Sequence, residues 1–366
     1  MGGRHHLQHT GITPARRTYS TLASLLLAAL SLPSPVLFGT LLGGMAHALT
    51  MSTPLAIPRR AFNAGQGLVG ATIGAMVSLP ALERLGSDWT SILAVTFGTL
   101  AISVLAGQAL GLRRDVSVTT GAFAMVAGGA SGITALAREL GADDRVVTIV
   151  QYLRVLLVLL AMPLVTKLVF DPPTSVGTLS AAPPTHWPTD IVFTVASVAF
   201  GLLAARYLRI PAGSLLGPLL VAVTLSVTGV LGTTAVPSVL EGTGYALIGI
   251  QVGLRFTRAS LRSIASLLPL ATVLIGVVIA ACAAMGALLS VVTGIDGLSA
   301  YLATTPGGLY AVLAIAADSG ADVTYVLAVQ VIRVFVMLLA APLLARLLPR
   351  PPGDASADGA AQSKVT

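Results

Sequence analysis

Residues 127–163 read AGGASGITALARELGADDRVVTIVQYLRVLLVLLAMP, and residues 306–342 read PGGLYAVLAIAADSGADVTYVLAVQVIRVFVMLLAAP. The two stretches align without a gap, 179 positions apart. Gly128-Gly129 falls on Gly307-Gly308, and Gly141-Ala142-Asp143 on Gly320-Ala321-Asp322. Gln151 falls on Gln330, Arg154 on Arg333 and Pro163 on Pro342. Two unrelated apolar segments would match Leu with Val. They would not match Gly-Gly, Asp, Gln, Arg and Pro in one register, so the pattern reads as an internal duplication. Twice it sets an arginine inside an apolar helix, where polar groups are costly enough to point to function.

Composition fixes the class. Of 366 residues, 55% are hydrophobic and 10% are charged, against about 25% charged in a soluble domain. Mean hydropathy is +0.90. Apolar runs of about 20 residues recur along the chain, the mark of a polytopic helical membrane protein. The 38 glycines suit helices that approach closely without a hydrophobic force between them. A net charge of +7 does not point to nucleic acid. The basic residues sit at helix ends in ones, twos and threes, as topology signals do, and no basic face interleaved with aromatics is present. The single cysteine, Cys282, excludes an intramolecular disulfide and reads as a small core residue.

The halves show one order of elements. Thr18–Leu32 pairs with Asp190–Leu208, Val36–Leu49 with Ser214–Val230, and Arg59–Ser78 with Ser238–Phe256. In the third pair Gly65, Gly70 and Gly74 match Gly244, Gly249 and Gly253, a small-residue face. Thr90–Leu112 pairs with Ile264–Val292. Ser117–Leu140 pairs with Leu298–Ser319, each interrupted by Gly-Gly, and Asp143–Val169 with Asp322–Leu348. The expected organisation is a cytoplasmic segment 1–17, a membrane repeat 18–170, a linker 171–188, a second repeat 189–349 and a disordered cytoplasmic tail 350–366.

The interrupted element decides the architecture. If it crosses the bilayer, each half has six spans and the halves are parallel. If it dips in and returns, each half has five and the halves are inverted. The positive-inside rule selects the second arrangement. With the N-terminus inside, Arg59, Arg60, Arg113, Arg114, Arg206, Arg209, Arg255, Arg258, Arg262, Arg346 and Arg350 all fall inside, and Arg84 and Lys167 remain outside. The predicted fold is therefore all-α, about ten transmembrane helices in two inverted five-helix repeats, each with a re-entrant Gly-Gly hairpin. Inverted repeats with broken helices place a transport site near the midplane.

Arg154 lies 11 residues after Asp143, about 16 Å into the membrane at 1.5 Å per residue. Arg333 reaches the same depth from the opposite side. An arginine there costs about 2.5–3.5 kcal/mol and needs acceptors. Two readings stand. Arg154 and Arg333, assisted by Gln151 and Gln330, either cap carbonyls freed by the hairpin breaks or coordinate an anion. Gly128, Gly129, Pro306, Gly307 and Gly308 would shape the turns and offer backbone N–H groups to that anion. Asp143 and Asp322 stand where helix caps are preferred. With Glu139 and Asp318 they are candidates for capping or for coupling to protons or Na⁺. Enzyme chemistry finds no support. His5, His6, His9 and His186 lie in terminal or linker segments and His47 stands alone, so no metal-ligand cluster or nucleophile–histidine–acid set is visible. No cofactor is implied.

The duplicated Pro-Gly-Gly … Gly-Ala-Asp … Gln-x-x-Arg … Pro pattern resembles the Gram-negative-type AbrB family of membrane proteins, over residues 20–349. That family is unrelated to the small DNA-binding regulator of the same name. The resemblance brings two labels, regulator of gene expression and ammonia monooxygenase, neither of which follows from the residues. The first copy departs from the pattern with Ala127 where the second has Pro306. The expectation is a multi-pass protein of the bacterial inner membrane, a secondary transporter of a small, anionic solute. Its partners would be the lipid bilayer and the solute, with a coupling proton or Na⁺ and no direct nucleic acid; a homo-oligomer stays open. The alternative is a membrane-embedded regulator that acts on gene expression indirectly.

Overall fold

The computed structural model describes residues 34–51, 55–77, 79–113, 116–126, 137, 142–172, 187–208, 213–231, 235–263 and 265–347. All regular structure among them is helical. In the first half, α1 is Pro35–Thr50, α2 Arg59–Ala75, α3 Leu79–Leu110, α4 Val118–Met125 and α5 Asp144–Val165. In the second, α6 is Trp187–Leu208, α7 Gly213–Thr228, α8 Ser238–Gly253, α9 Arg258–Ser263, α10 Leu268–Thr293, α11 Gly297–Thr304, α12 Leu309–Asp318 and α13 Val323–Leu347. The first expected helix (residues 18–32), the linker 173–186, the tail 348–366 and the Gly128-Gly129 turn lie outside the described residues.

Four helical stretches are long and apolar enough to cross a bilayer: Gly86–Leu110, Asp144–Phe170, Trp187–Tyr207 and Leu268–Thr293. Helices α1 and α7 are apolar but have only 16 residues each, about 24 Å at 1.5 Å per residue. That is short of a hydrocarbon core of about 30 Å. Two boundaries differ from the sequence expectation. Helix α3 begins at Leu79 rather than Thr90, because the polar stretch through Glu83, Arg84 and Asp88 breaks the apolar run without breaking helix propensity. The stretch before α10 forms the separate short helix α9.

The halves interlock by exchange. Helix α2 packs on α7 and α8 packs on α1, while α10 packs on α5 and α13 on α3. Glycines set the first of these contacts. A Cβ on Gly70 would lie under 3 Å from the Leu215 carbonyl, and one on Gly249 under 3 Å from the Leu37 carbonyl. One turn on, Gly74 faces the Leu219 carbonyl and Gly253 the Leu41 carbonyl at the same closeness. Where lipid is as apolar as leucine, such backbone proximity replaces hydrophobic burial as the source of cohesion. Large apolar side chains such as Leu105, Leu339 and Val291 are exposed on the outer faces, as lipid contact requires.

Candidate functional site

A hydrogen bond joins the residues that flank each interrupted element. The Asp322 N–H donates to Ser299 Oγ at 2.7 Å. Ser299 opens α11 and Asp322 follows α12, so the two ends of this segment meet. In the first half the Asp143 N–H donates to Thr120 Oγ1 at 3.0 Å, and Thr120 is the counterpart of Ser299. Asp143 then caps α5 by accepting from the Arg145 and Val146 N–H groups. Asp322 caps α13 through the Tyr325 N–H at 3.0 Å.

Between α11 and α12 the helix is broken at residues 305–308, and α4 likewise ends at Met125. A helix end has carbonyls with no helical partner. Inside the protein these need donors, and the Gln–Arg pair supplies them. Gln151 Nε2 donates to the carbonyls of Phe123 at 2.8 Å and Val126 at 2.7 Å. Arg154 Nη1 donates to the Met125 carbonyl at 3.0 Å, and Nη2 to Gln151 Oε1 at 2.7 Å. The second half repeats this pattern and adds one acceptor. Gln330 Nε2 donates to Leu302 at 2.8 Å and Thr305 at 3.2 Å. Arg333 Nη1 reaches the carbonyls of Thr304 at 3.2 Å and Thr305 at 2.8 Å, and Nη2 donates to Gln330 Oε1. A cation at a helix C-terminus also offsets the negative end of its dipole.

The capping reading is thus realised in the geometry, and it does not use up the arginines. Both are buried, and in each the Nε has no hydrogen-bond partner. The two guanidinium groups lie close enough to interact electrostatically, and each also feels Cys282 on α10. Cys282 is buried, as expected, and lies within electrostatic range of both arginines. The break of the second half sits beside the first half's arginine helix: a Cβ at Gly307 would press on the Val158 side chain, and one at Gly308 would touch Val155. Gly308 is the N-cap of α12 and brings no side chain to it. Two buried positive groups, one from each half, therefore lie within electrostatic reach of each other.

Of the remaining candidates, Asp318 accepts from Ser34 at the start of α1, and Pro306 lies buried in the break. Gly128, Gly129 and Glu139 lie outside the described residues. Sequence reasoning missed Thr120 and Ser299, whose shared 179-residue offset was the available signal. It also missed Gln66, whose Nε2 donates to Tyr310 Oη at 2.6 Å in the first turn of α12. Among the described residues no group of three or more His, Cys, Asp or Glu side chains is placed to hold a metal ion.

Comparison with known proteins agrees with the motif. The family described as transition state regulatory protein AbrB matches residues 36–349. A protein of Escherichia coli (strain K12) named "Putative regulator AbrB" is 34% identical over 344 residues, covering 90% of this chain and 94% of its own. A Bacillus subtilis (strain 168) protein, "Uncharacterized protein YhjN", is 28% identical over 305 residues, covering 80% and 79%.

Proposed function

The chain belongs to the AbrB family, and from its site geometry we propose that it is a secondary transporter of a small anionic solute, bound between two inverted repeats. The observation that carries the proposal is the pair of buried arginines with unpartnered Nε groups at the junction of the halves. A buried donor without a partner costs about 1–3 kcal/mol. Such groups in native proteins ask for a reason, and a ligand is one. An anion between Arg154 and Arg333 would take up both Nε groups and relieve the repulsion between the guanidiniums.

Contacts at the helix ends support the inverted arrangement. The Arg113 guanidinium donates to the Ser266 carbonyl at 3.2 Å, which puts the end of α3 and the start of α10 on one side. Parallel halves of six spans would separate Arg113 from Ser266. The meeting of Ser299 with Asp322, and of Thr120 with Asp143, supports segments that enter the membrane and return. Broken backbone at that depth is tolerated only where protein or a cavity surrounds it, and the Gln–Arg caps supply that surrounding. The reading places the chain in the bacterial inner membrane with its N-terminus in the cytoplasm.

A second reading, a membrane-embedded regulator that acts indirectly, takes its support from the name of the Escherichia coli relative. Proteoliposomes loaded with a panel of organic and inorganic anions separate the two. A transporter exchanges at least one of them across the bilayer faster than empty liposomes do. A protein that binds an anion without moving any of them fits the regulator instead.

A further inference from the structure

The described helices fall into two packed sets, and each set draws on both halves. One holds α1, α2, α6, α7 and α8: α2 packs on α6, α7 and α8, α1 on α8, and α6 on α7. The other holds α3, α4, α5, α10, α11 and α13: α3 packs on α4, α10 and α13, α5 on α4 and α10, and α11 on α10 and α13. Glycines draw the same boundary. In the first set a Cβ on Gly201 would strike the Pro218 backbone, and one on Gly44 the Ile250 carbonyl. In the second, a Cβ on Gly107 would strike the Ala122 backbone, and one on Gly286 the Thr304 hydroxyl. Among the described glycines every such close approach stays within one set. Backbone packed this tightly on backbone has no slack, so each set behaves as a rigid unit. Both Gln–Arg caps lie in the second set, on α5 and α13.

The seam between the sets is made differently. Helix α12 packs on α5 and α13 of the second set and on α2 of the first, and side chains tie both its ends across the seam. In its first turn Tyr310 Oη accepts from Gln66 Nε2 of α2 at 2.6 Å. At its last residue Asp318 Oδ2 accepts from the Ser34 N–H at 2.8 Å and the Ser34 hydroxyl at 2.7 Å, at the start of α1. Elsewhere the Arg255 guanidinium, just after α8, lies over the Tyr152 ring of α5, 5.4 Å from its centroid. One apolar cluster runs from Leu37 and Val69 in the first set to Val312 and Ile315 on α12. The chain passes from the first set to the second at matching places, after α2 and after α8.

We propose that the protein moves as these two bodies, with α12 as the latch between them, rather than as one half against the other. Release of Tyr310 from Gln66 and of Asp318 from Ser34 lets α12 travel with the second set, while the glycine contacts inside each set stay closed. Both arginines ride in one body, so neither cap opens. Displacement of one packed element past another by a turn, about 5 Å, is a known mode of switching. That a solute is carried along rests on the transport reading; the movement itself does not.

Pulsed electron resonance between spin labels, on the full-length protein in liposomes without solute and in a Cys282→Ala background, tests this. Val239→Cys with Val291→Cys spans the two sets inside the second half. Leu105→Cys with Val291→Cys spans the two halves inside the second set. All three positions are exposed. The latch is broken by Tyr310→Phe together with Asp318→Ala. The Val239–Val291 distance is expected to broaden or shift by about 5 Å, and the Leu105–Val291 distance to keep its width and mean. The proposal is overturned if the Val239–Val291 distance is the same with the latch broken, or if the Leu105–Val291 distance moves in its place, which half-against-half motion requires. Should the double variant not fold, Tyr310→Phe alone, which keeps the ring, is held to the same two outcomes. No solute enters the measurement, so a failure of anion exchange bears on the transport reading alone.

Discussion

Gln330 and Arg333, one turn apart on α13, act as a single capping device: Arg333 Nη2 donates to Gln330 Oε1 while the other arms of both reach the end of α11. The glutamine amide orients the guanidinium, and together they meet the carbonyls of Leu302, Thr304 and Thr305. Gln151 and Arg154 do the same for α4. The arginine thus holds a helix end with Nη1, braces the glutamine with Nη2 and leaves Nε without a partner.

Arg333→Lys keeps the charge but loses the planar fork. A lysine cannot meet a carbonyl and the Gln330 amide in that geometry, so at least one buried acceptor goes unserved. The expected loss is about 1–3 kcal/mol of stability, read as a lower unfolding temperature in detergent. Gln330→Leu should cost a similar amount, and the double variant less than the sum, because the two residues form one network.

Gly249→Leu tests the interlock of α8 with α1. A side chain there meets the Leu37 carbonyl, which belongs to a helix backbone and cannot step aside. Overpacking of this kind costs about 1–3 kcal/mol. Gly70→Leu should match it at the exchanged contact with Leu215, whereas Gly242→Ala, with nothing within 4 Å of its Cβ, should leave unfolding unchanged.

Orientation is open to direct measurement. In a Cys282→Ala background, Ser238→Cys is expected to react with a membrane-impermeant thiol reagent from the outside, and Arg258→Cys only after the inner face is exposed. Labelling of Ser238→Cys from the inside and Arg258→Cys from the outside, which parallel six-span halves predict, would rule out this arrangement.

The main features of the site were legible in the chain because duplication repeats chemistry, not only hydropathy. Arg154, Gln151 and Asp143 stood out by returning at one offset, and their roles as internal caps follow from needs that every broken helix has. Two features were not legible. Helices α4 and α11 have eight residues each, too few for a periodic signal, so their ends could not be set beforehand. Thr120 and Ser299 pair as hydroxyls of different type, and nothing in a small polar residue announces a clamp between segment ends.

The central proposal is that Arg154 and Arg333 receive an anion. Substituting Cys282 decides it while leaving both arginine caps in place. Cys282→Asp supplies a resident carboxylate to the two guanidiniums, and Cys282→Asn supplies a neutral side chain of the same shape. With anion exchange measured in proteoliposomes, the account predicts that Cys282→Asn exchanges near the wild-type rate. Cys282→Asp should unfold no earlier than Cys282→Asn and exchange at least about tenfold more slowly, a deficit of about 1.4 kcal/mol. Equal exchange by the two variants would contradict it.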